Sequence, residues 1–166
     1  MSIKIGCLSD THGFLDERLT GFLDTCDEIW HAGDIGSIRV AEKLAGIKPF
    51  RAVYGNIDGI EIRQVYPQHQ RFVVGGLDVW ITHTGGYPGK YDSLVRPAIF
   101  ESPPNLFICG HSHILKVMND NDLDLLHINP GAAGRAGMHK VQTAVRFVVG
   151  NNKISCLEII ELEKRV

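Results

Sequence analysis

The chain has 166 residues, enough for one compact domain that closes a hydrophobic core without disulfides or a structural metal. Its 17 basic and 19 acidic residues nearly balance, which argues against a basic nucleic-acid surface. The first ten residues, MSIKIGCLSD, reach an aspartate too soon for a signal peptide, and no later apolar run would span a bilayer. We therefore expect a single domain over residues 1–166, in the cytoplasm and without membrane contact.

The first half of the chain alternates short apolar runs with amphipathic segments, the pattern of an α/β fold. The apolar runs predict buried strands at 3–9, 28–33 and 49–54. Helical spacing predicts helices over 15–26 and 37–46, the second capped by Ser37 and stopped by Gly46.

The second half predicts mostly β-structure. Residues 71–84 predict a hairpin that turns at Gly75-Gly76, and a helix over 91–102 is expected to be disturbed by Pro97. The remaining strands are predicted at 105–110, 123–129, 140–150 and 153–162, the last two joined by a GNN turn.

The cysteines argue against a secreted disulfide scaffold. They are Cys7, Cys26, Cys109 and Cys156. Their spacing contains no CxxC motif and two of them lie inside apolar runs, so a reducing compartment fits them best.

Several polar side chains follow apolar runs, at the points where predicted strands end. They are Asp10, His12, Asp34, Asn56, His83, His111 and His113. Ligands of α/β sheets bind outside the carboxyl ends of the strands, so we expect these side chains to form one site. Gly33, Gly55 and Gly110 each precede a candidate, and the missing Cβ is expected to let the backbone turn sharply there.

The chemistry of this set points to two metal ions. Imidazoles, carboxylates and an amide oxygen suit zinc, manganese, iron, nickel or cobalt. A tetrahedral ion needs about four ligands, so seven are too many for one ion, whereas two ions sharing Asp34 would use them all. Two divalent ions outweigh two carboxylates, so the centre would attract a phosphate oxyanion. Ions about 3.5 to 4 Å apart are suited to hydrolysing a phosphoester.

The segments SDTH, GD, GNID, ITHT and GHSH resemble, in order, the motifs of the calcineurin-like metallophosphoesterase superfamily. The short length and INPGAAG at 128–134 are most similar to its small bacterial and archaeal phosphodiesterases, which the retromer scaffold subunit also resembles. The resemblance implies an α/β fold, a four-layer αββα sandwich of two mixed sheets flanked by helices.

The resemblance also assigns ligands. One metal would take Asp10, His12, Asp34 and His113, and the other would take Asp34, Asn56, His83 and His111. Manganese is the expected ion, with nickel, iron, zinc and cobalt as alternatives. Catalysis would act through the metals held by Asp34, Asn56 and His83.

One position departs from the family pattern. Many members carry a histidine directly after the motif asparagine, and it is thought to protonate the leaving oxygen, but Ile57 stands there. An isoleucine has no proton to give, so leaving groups that need protonation would react slowly. Asp58, the natural partner of that histidine, is expected to act structurally or behind the ligands.

Each candidate has an ordinary alternative when it is considered alone. His83 would be a strand-boundary residue, Asn56 part of a turn, and Asp10 and Asp34 helix N-caps. Five motifs in the right order favour the site instead. The histidines outside the motifs are expected to be structural or exposed; they are His31, His69, His127 and His139.

The NPGAAGR segment is a further candidate. Its backbone amides near Asn129 would face a phosphate and Arg135 would neutralise one, while an ordinary Pro-Gly turn is an equally good interpretation.

Two functions follow from these patterns. The first is a dinuclear metal-dependent phosphodiesterase, in which a metal-bound hydroxide attacks a small-molecule phosphodiester. The second is a weakly active or inactive metal-binding scaffold. The complete ligand set favours the enzyme. Substrate specificity is expected to depend on loops 13–16, 84–92 and 114–122, whose sequences do not indicate a particular substrate. The protein could also form a homo-oligomer.

Overall fold

The computed structural model describes residues 1–165, which form short helices around two large sheets. The strands in chain order are β1 Ser2–Leu8, β2 Glu28–His31, β3 Phe50–Ala52, β4 His69–Val74, β5 Leu77–Thr82, β6 Gly86–Tyr87, β7 Lys90–Tyr91, β8 Leu106–Ile108, β9 Leu115–Asp120, β10 Leu125–Pro130, β11 Val141–Gly150 and β12 Lys153–Glu163. The helices are α1 Glu17–Asp24, α2 Ile38–Ile47, α3 Ile60–Arg63 and α4 Arg96–Glu101. None of these helices, within the described residues, is long and apolar enough to cross a membrane.

The two large sheets are both mixed, and each contains three adjacent parallel strands. The first sheet has the order β12-β11-β1-β2-β3, in which β1, β2 and β3 are parallel and β11 and β12 are antiparallel additions. The second has the order β4-β5-β8-β10-β9, with β5, β8 and β10 parallel and the two edge strands antiparallel. The strands β6 and β7 form a separate small hairpin.

The sheets pack face to face, because alternate residues of both contribute to one core. Ile5 and Cys7 of the first sheet belong to the same buried cluster as Val79 and Ile108 of the second. Helices α1 and α2 cover the outer face of the first sheet. Helix α4 covers the outer face of the second through Ile99. The predicted four-layer αββα sandwich is therefore confirmed.

Both predicted hairpin turns are confirmed. Gly75 and Gly76, and likewise Asn151 and Asn152, all have positive φ, as a two-residue type I′ turn requires. Ser37 is the N-cap of α2, with its side chain accepting from the Arg39 N–H. Cys7, Cys26 and Cys109 are buried, Cys156 is exposed, and all four are free thiols.

Other local predictions were wrong. Helix α2 continues through Gly46 to Ile47 and ends because Lys48, which precedes a proline, is held extended. Pro97 does not disturb α4, since it lies in the first turn, where its missing N–H has no intrahelical role. The segment after the GHSH motif, expected to be a loop, contains the edge strand β9, which pairs with β10.

Candidate metal centre

The predicted site residues lie at the carboxyl ends of parallel strands from both sheets. Asp10 and His12 follow β1, Asp34 follows β2, Asn56 follows β3, His83 follows β5, and His111 and His113 follow β8. The fold brings six of them together in two clusters. Within each cluster the ligand atoms lie within 4.8 Å of one another. The clusters are Asp10 with His12 and His113, and Asp34 with His83 and His111. Asn56 joins the second, since its Oδ1 lies 3.0 Å from His111 Nδ1.

The backbone is unusual at these positions. A left-handed conformation, which side chains other than glycine rarely adopt, is found at Asp10, His12, Asp34, His111 and His113, with φ of 54°, 46°, 54°, 70° and 62°. Each such residue costs on the order of 1 kcal/mol, so the rest of the fold must hold these loops in place. Strain of this kind concentrates at functional sites.

Asp10 has one oxygen held by the protein and one left free. Its Oδ2 accepts hydrogen bonds from Ser9 Oγ at 2.7 Å and from the His111 N–H at 3.1 Å. Its Oδ1 is buried, has no hydrogen-bond partner in the described chain, and lies 3.2 Å from His113 Nε2. Burial alone would raise the pKa of Asp10, but His113 and His12 hold that pKa well below its usual range. The carboxylate is therefore ionised, with Oδ1 directed at two imidazoles.

His83 is oriented by the backbone. Its Nδ1 lies 2.7 Å from the Ala32 carbonyl oxygen, which can only accept, so Nδ1 carries the proton. The opposite nitrogen, Nε2, then presents a lone pair 3.2 Å from Asp34 Oδ2, and no hydrogen-bond partner for it is found in residues 1–165. A carbonyl that fixes the tautomer of a histidine in this way is typical of metal ligands.

Asp34 belongs to the second cluster and also approaches the first. Its Oδ1 accepts the Ile57 N–H at 3.0 Å, while its Oδ2 lies 3.5 Å from His12 Nε2 and 3.2 Å from His83 Nε2. Burial raises the pKa of Asp34, but the nearby His83 imidazole outweighs this and leaves the pKa below its usual value. One oxygen of Asp34 thus faces ligands of both clusters.

The donor set fits divalent metal ions. Asp10 Oδ1, His12 Nε2 and His83 Nε2 are buried atoms that find no partner among the described residues. Asp10 Oδ1 lies 3.7 and 3.9 Å from the two imidazole nitrogens, which lie 3.5 and 3.2 Å from Asp34 Oδ2. Unpaired buried polar atoms are costly, so several in one place indicate a missing ligand. Carboxylate oxygens with neutral imidazoles suit borderline divalent cations.

Two further residues, His31 and Asp58, organise the site. The sequence predicts His31 to be structural or exposed and Asp58 to act structurally or behind the ligands. The Gly33 N–H donates to His31 Nδ1 at 3.1 Å, so His31 Nε2 carries the proton and donates to Thr11 Oγ1 at 3.0 Å. The Thr11 hydroxyl donates in turn to the Ile35 carbonyl at 2.9 Å. Burial lowers the pKa of His31 to about 4, so this neutral link between the first two ligand loops persists at ordinary pH.

Asp58 is the second organising residue. Its buried carboxylate accepts the N–H groups of Ile35, Gly36 and Gly55 at 3.1, 2.8 and 2.8 Å. It therefore ties the loop of Asp34 to the loop of Asn56 and makes no contact that would place it at the reacting atoms.

The three glycines before ligands serve two different purposes. Gly33 has φ of +97°, which is the sharp turn that was predicted. Gly55 and Gly110 are not left-handed; a Cβ there would overlap Asp34 Oδ1 and Ser9 Oγ respectively. These two positions require glycine because two ligand loops approach closely.

Comparisons with known proteins agree with this geometry. A model of the calcineurin-like phosphoesterase superfamily domain matches residues 3–152. The chain belongs to this superfamily. A probable metallophosphoesterase of Methanothermobacter thermautotrophicus is 29% identical over 136 residues, which cover 77% of this chain and 76% of the relative. This calcineurin-like protein is accordingly a metal-dependent phosphoesterase.

Solved structures share the fold. A novel archaeal phosphodiesterase superimposes with a TM-score of 0.74 at 23% identity, covering 96% of this chain and 100% of that one. Vps29 of Chaetomium thermophilum gives a TM-score of 0.74 at 15% identity, covering 98% and 100%. At these identities the likeness concerns the fold alone.

In this phosphoesterase the NPGAAGR segment at the end of β10 is not arranged as a simple phosphate clamp. The Asn129 amide is buried, donating to the Gly110 carbonyl and Ser112 Oγ at 3.0 Å each and accepting from the Gly131 N–H at 3.0 Å. It supports the GHSH loop. The Arg135 guanidinium lies exposed over the Phe14 ring, 3.7 Å from its centroid. Roles for Asn129 and Arg135 in substrate binding stay predictions.

Proposed function

We propose that the protein is a dinuclear metal-dependent phosphodiesterase. The observation that carries this is the position of Asp34, whose Oδ2 lies within 3.5 Å of imidazole nitrogens from both clusters. A carboxylate shared by two clusters is what a bridged pair of ions needs. The proposed ligands are Asp10, His12, Asp34 and His113 for one ion and Asp34, Asn56, His83 and His111 for the other. Bound there, two divalent ions, with manganese foremost, would supply Lewis-acid activation of water and of a phosphoryl oxygen.

The chain itself supplies position and charge. The two ionised carboxylates, Asp10 and Asp34, are buried at 0% and 2% exposure, so water does not screen them. The neutral ligands Asn56 and His83 add no negative charge, which keeps the centre attractive to a phosphate anion. Hydrogen bonds from Ser9 and Ile57 fix the carboxylates in advance, so little reorganisation is needed when substrate binds.

Two cavities beside the centre favour a diester over a monoester. One, of about 200 Å³, is lined in part by His111, and the other, of about 260 Å³, by His83 and Asn56. Thr84 contributes to both. A phosphomonoester has a single organic group, whereas a diester has two, one for each cavity.

Ile57 restricts the range of leaving groups in the proposed substrate. Its side chain is 47% exposed beside Asn56, where many relatives of this family carry a proton donor. The substrate that this protein handles well would therefore have a leaving group that departs without protonation.

The direct test is hydrolysis of bis(p-nitrophenyl) phosphate and of p-nitrophenyl phosphate by metal-free protein reloaded with manganese, nickel, iron, zinc or cobalt. We expect manganese-stimulated release of nitrophenol with the diester favoured. A faster rate with the monoester would contradict the diester assignment. No release above blank with any metal would overturn the enzyme and leave the metal-binding scaffold, whose fold Vps29 shares. The cytoplasmic location and the oligomeric state stay predictions.

A further inference from the structure

The proposed ligand histidines differ in how the nitrogen that faces away from the centre is held. His83 directs its Nδ1–H at the Ala32 carbonyl oxygen, 2.7 Å away. His113 directs Nε2 at Asp10 Oδ1, 3.2 Å away, so its Nδ1 is on the far side of the ring. The ring hydrogen bonds found among residues 1–165 include none to His113. Because a ligand histidine normally donates its second N–H to an acceptor, His113 requires an acceptor beside Nδ1.

His139 lies beside His113 and has an unused acceptor atom. The two ring centroids are 5.2 Å apart, and the ring planes meet at 83°. His139 Nε2 lies 2.8 Å from the Gly134 carbonyl oxygen, which can only accept, so Nε2 carries the proton and Nδ1 has a lone pair. Nδ1 is buried and has no hydrogen-bond partner in the described chain. A buried acceptor without a partner is costly, which indicates that a donor reaches it.

Gly137 leaves open the space that the two imidazoles share. A Cβ at this position would lie 2.5 Å from His113 Nδ1 and 3.1 Å from His139 Nδ1. Both nitrogens therefore border the same point, and a side chain there would push the rings apart. The φ of +121° at Gly137 also favours glycine. A proton on His113 Nδ1 can reach the His139 lone pair, either directly after a small rotation of one ring or through one water molecule.

The segment that carries His139 is fixed against the first ligand cluster. At its start, the Gly134 N–H donates to the Asp10 carbonyl oxygen at 3.0 Å. Near its middle, the Gly137 carbonyl oxygen accepts from Lys164 Nζ at 2.9 Å. The bond from His139 to the Gly134 carbonyl closes the segment on itself. His139 is therefore held in place beside His113 by contacts on both sides.

His139 does not join that cluster as a further ligand. The ligand atoms that lie within 4.8 Å of one another belong to Asp10, His12 and His113, and the group does not include His139. Any effect of His139 on a bound ion would therefore pass through His113.

We propose that His139 is a positioning residue of the metal centre. Its Nδ1 accepts the Nδ1–H of His113, which fixes the tautomer of His113 and leaves the Nε2 lone pair facing the first ion. The assignment rests on the proposed function for the presence of that ion. The tautomer itself exists without metal, so it can be measured separately.

The test determines the tautomers of His113 and His83 in metal-free protein from long-range ¹H–¹⁵N correlation spectra, at a pH where both rings are neutral. A histidine free in water prefers its proton on Nε2, so an Nδ1–H tautomer requires an acceptor. We expect the Nδ1–H tautomer of His113 in the wild type, and a shift toward the Nε2–H tautomer in His139→Phe, which keeps a ring but removes the acceptor. His139→Asn places an oxygen near the position of Nδ1 and should restore part of the wild-type tautomer. His83, held by Ala32, should be the same in all three proteins and serves as the internal control.

A titration with manganese measures the consequence for the ion at the first cluster. We expect His139→Phe to weaken binding of that ion about 10- to 100-fold, as changes behind a ligand commonly do, and His139→Asn to recover part of the loss. A merely structural role would lower the urea midpoint of His139→Phe while the His113 tautomer stayed the same.

Three results would overturn the proposal. They are an Nε2–H tautomer of His113 in the wild type, a tautomer that His139→Phe leaves unchanged, and equal manganese affinity of wild type and His139→Phe. A His113 tautomer and a manganese affinity that both depend on His139, in a protein that hydrolyses no phosphodiester, would support the role of His139 and refute the proposed function instead.

Discussion

The buried floor of the metal centre and its exposed rim are held in different ways. On the floor, Asp10, Asp34 and His83 are 0 to 4% exposed, and each has one atom fixed by a hydrogen bond and another left free. On the rim, Asn56 and His111 are exposed, and the only hydrogen bond of either side chain within the described chain is to the other.

This contrast identifies the part of the centre that the fold builds without a bound ion. Hydrogen bonds inside a protein are stronger than in water, and breaking them leaves buried groups unpaired. The floor is therefore formed before any ion binds, while the rim can adjust to the ion and the substrate. Substitutions should have large effects on the floor and smaller ones toward the rim.

The largest effect is expected for Asp34→Asn. The substitution keeps the shape of the side chain but removes the charge that faces both clusters. The protein should therefore lose several kcal/mol of the stabilisation that bound metal provides. We expect diester hydrolysis to fall by about 10³-fold or more, with loss of bound metal. Activity and metal content by elemental analysis measure this.

Asp78→Asn is the matched control for that experiment. Asp78 pairs with Arg71 on the surface, away from the ligand clusters, so the same chemical change should leave metal content intact. Retention of two ions by Asp34→Asn would show that the carboxylate does not bridge them.

The second prediction compares His83→Ala with His111→Ala in metal-free protein. His83→Ala leaves the buried Ala32 carbonyl without its partner and opens a cavity, so the free energy of unfolding should fall by about 2 to 3 kcal/mol. His111→Ala removes an exposed ring and should change it by less than about 0.5 kcal/mol. Urea unfolding in the presence of a chelator measures both. An equal loss of unfolding free energy in both variants would contradict the distinction between floor and rim.

The third prediction concerns the support beneath the floor. Asp58→Asn replaces one acceptor oxygen by an NH₂ group that opposes a backbone N–H, which disturbs the link between the Asp34 and Asn56 loops. We expect metal affinity to fall about 10- to 100-fold with all ligands present, as changes behind the ligands commonly do. Titration with manganese measures it, and Asp124→Asn, at an exposed turn, provides the control. An unchanged affinity would mean that the backbone alone holds the loops.

The grouping of the proposed ligands could be predicted from sequence, because each follows an apolar strand in a short ordered motif. The α/β character of the first half followed from the alternation of apolar runs and amphipathic segments, whereas the four-layer sandwich of two mixed sheets followed from the family resemblance. The contacts of the supporting residues could not be predicted this way, although Asp58 was expected to act structurally or behind the ligands. Asp58 meets Ile35 across 23 residues, and His31 meets Thr11 across 20, so local patterns carry no sign of either bond.

The edge strand β9 could not be predicted from the sequence either. The segment Leu115–Asp120 ends in polar residues and is partly exposed, so its pairing with β10 rather than its own composition makes it a strand. Pro97 looked like a helix breaker because the start of α4 was placed too early, and at the first turn the same residue is harmless.

The smallest effect, and the only gain, is expected at the rim with Ile57→His. The Ile57 N–H bonds Asp34 Oδ1, while its side chain is 47% exposed beside Asn56, so a new imidazole there would reach solvent without disturbing the floor. A well-placed general acid contributes about 10²- to 10⁴-fold, and an imidazole without an evolved setting should supply about tenfold at most. That gain should be confined to alkyl diesters, whose alkoxide needs a proton, and be absent for nitrophenyl esters, whose phenolate leaves unaided. The ratio of kcat/KM for the two ester types measures it, with Ile57→Gln as a polar control that has no such proton. A similar change for both esters would mean that the substitution alters binding at the rim and that the missing acid does not limit the reaction.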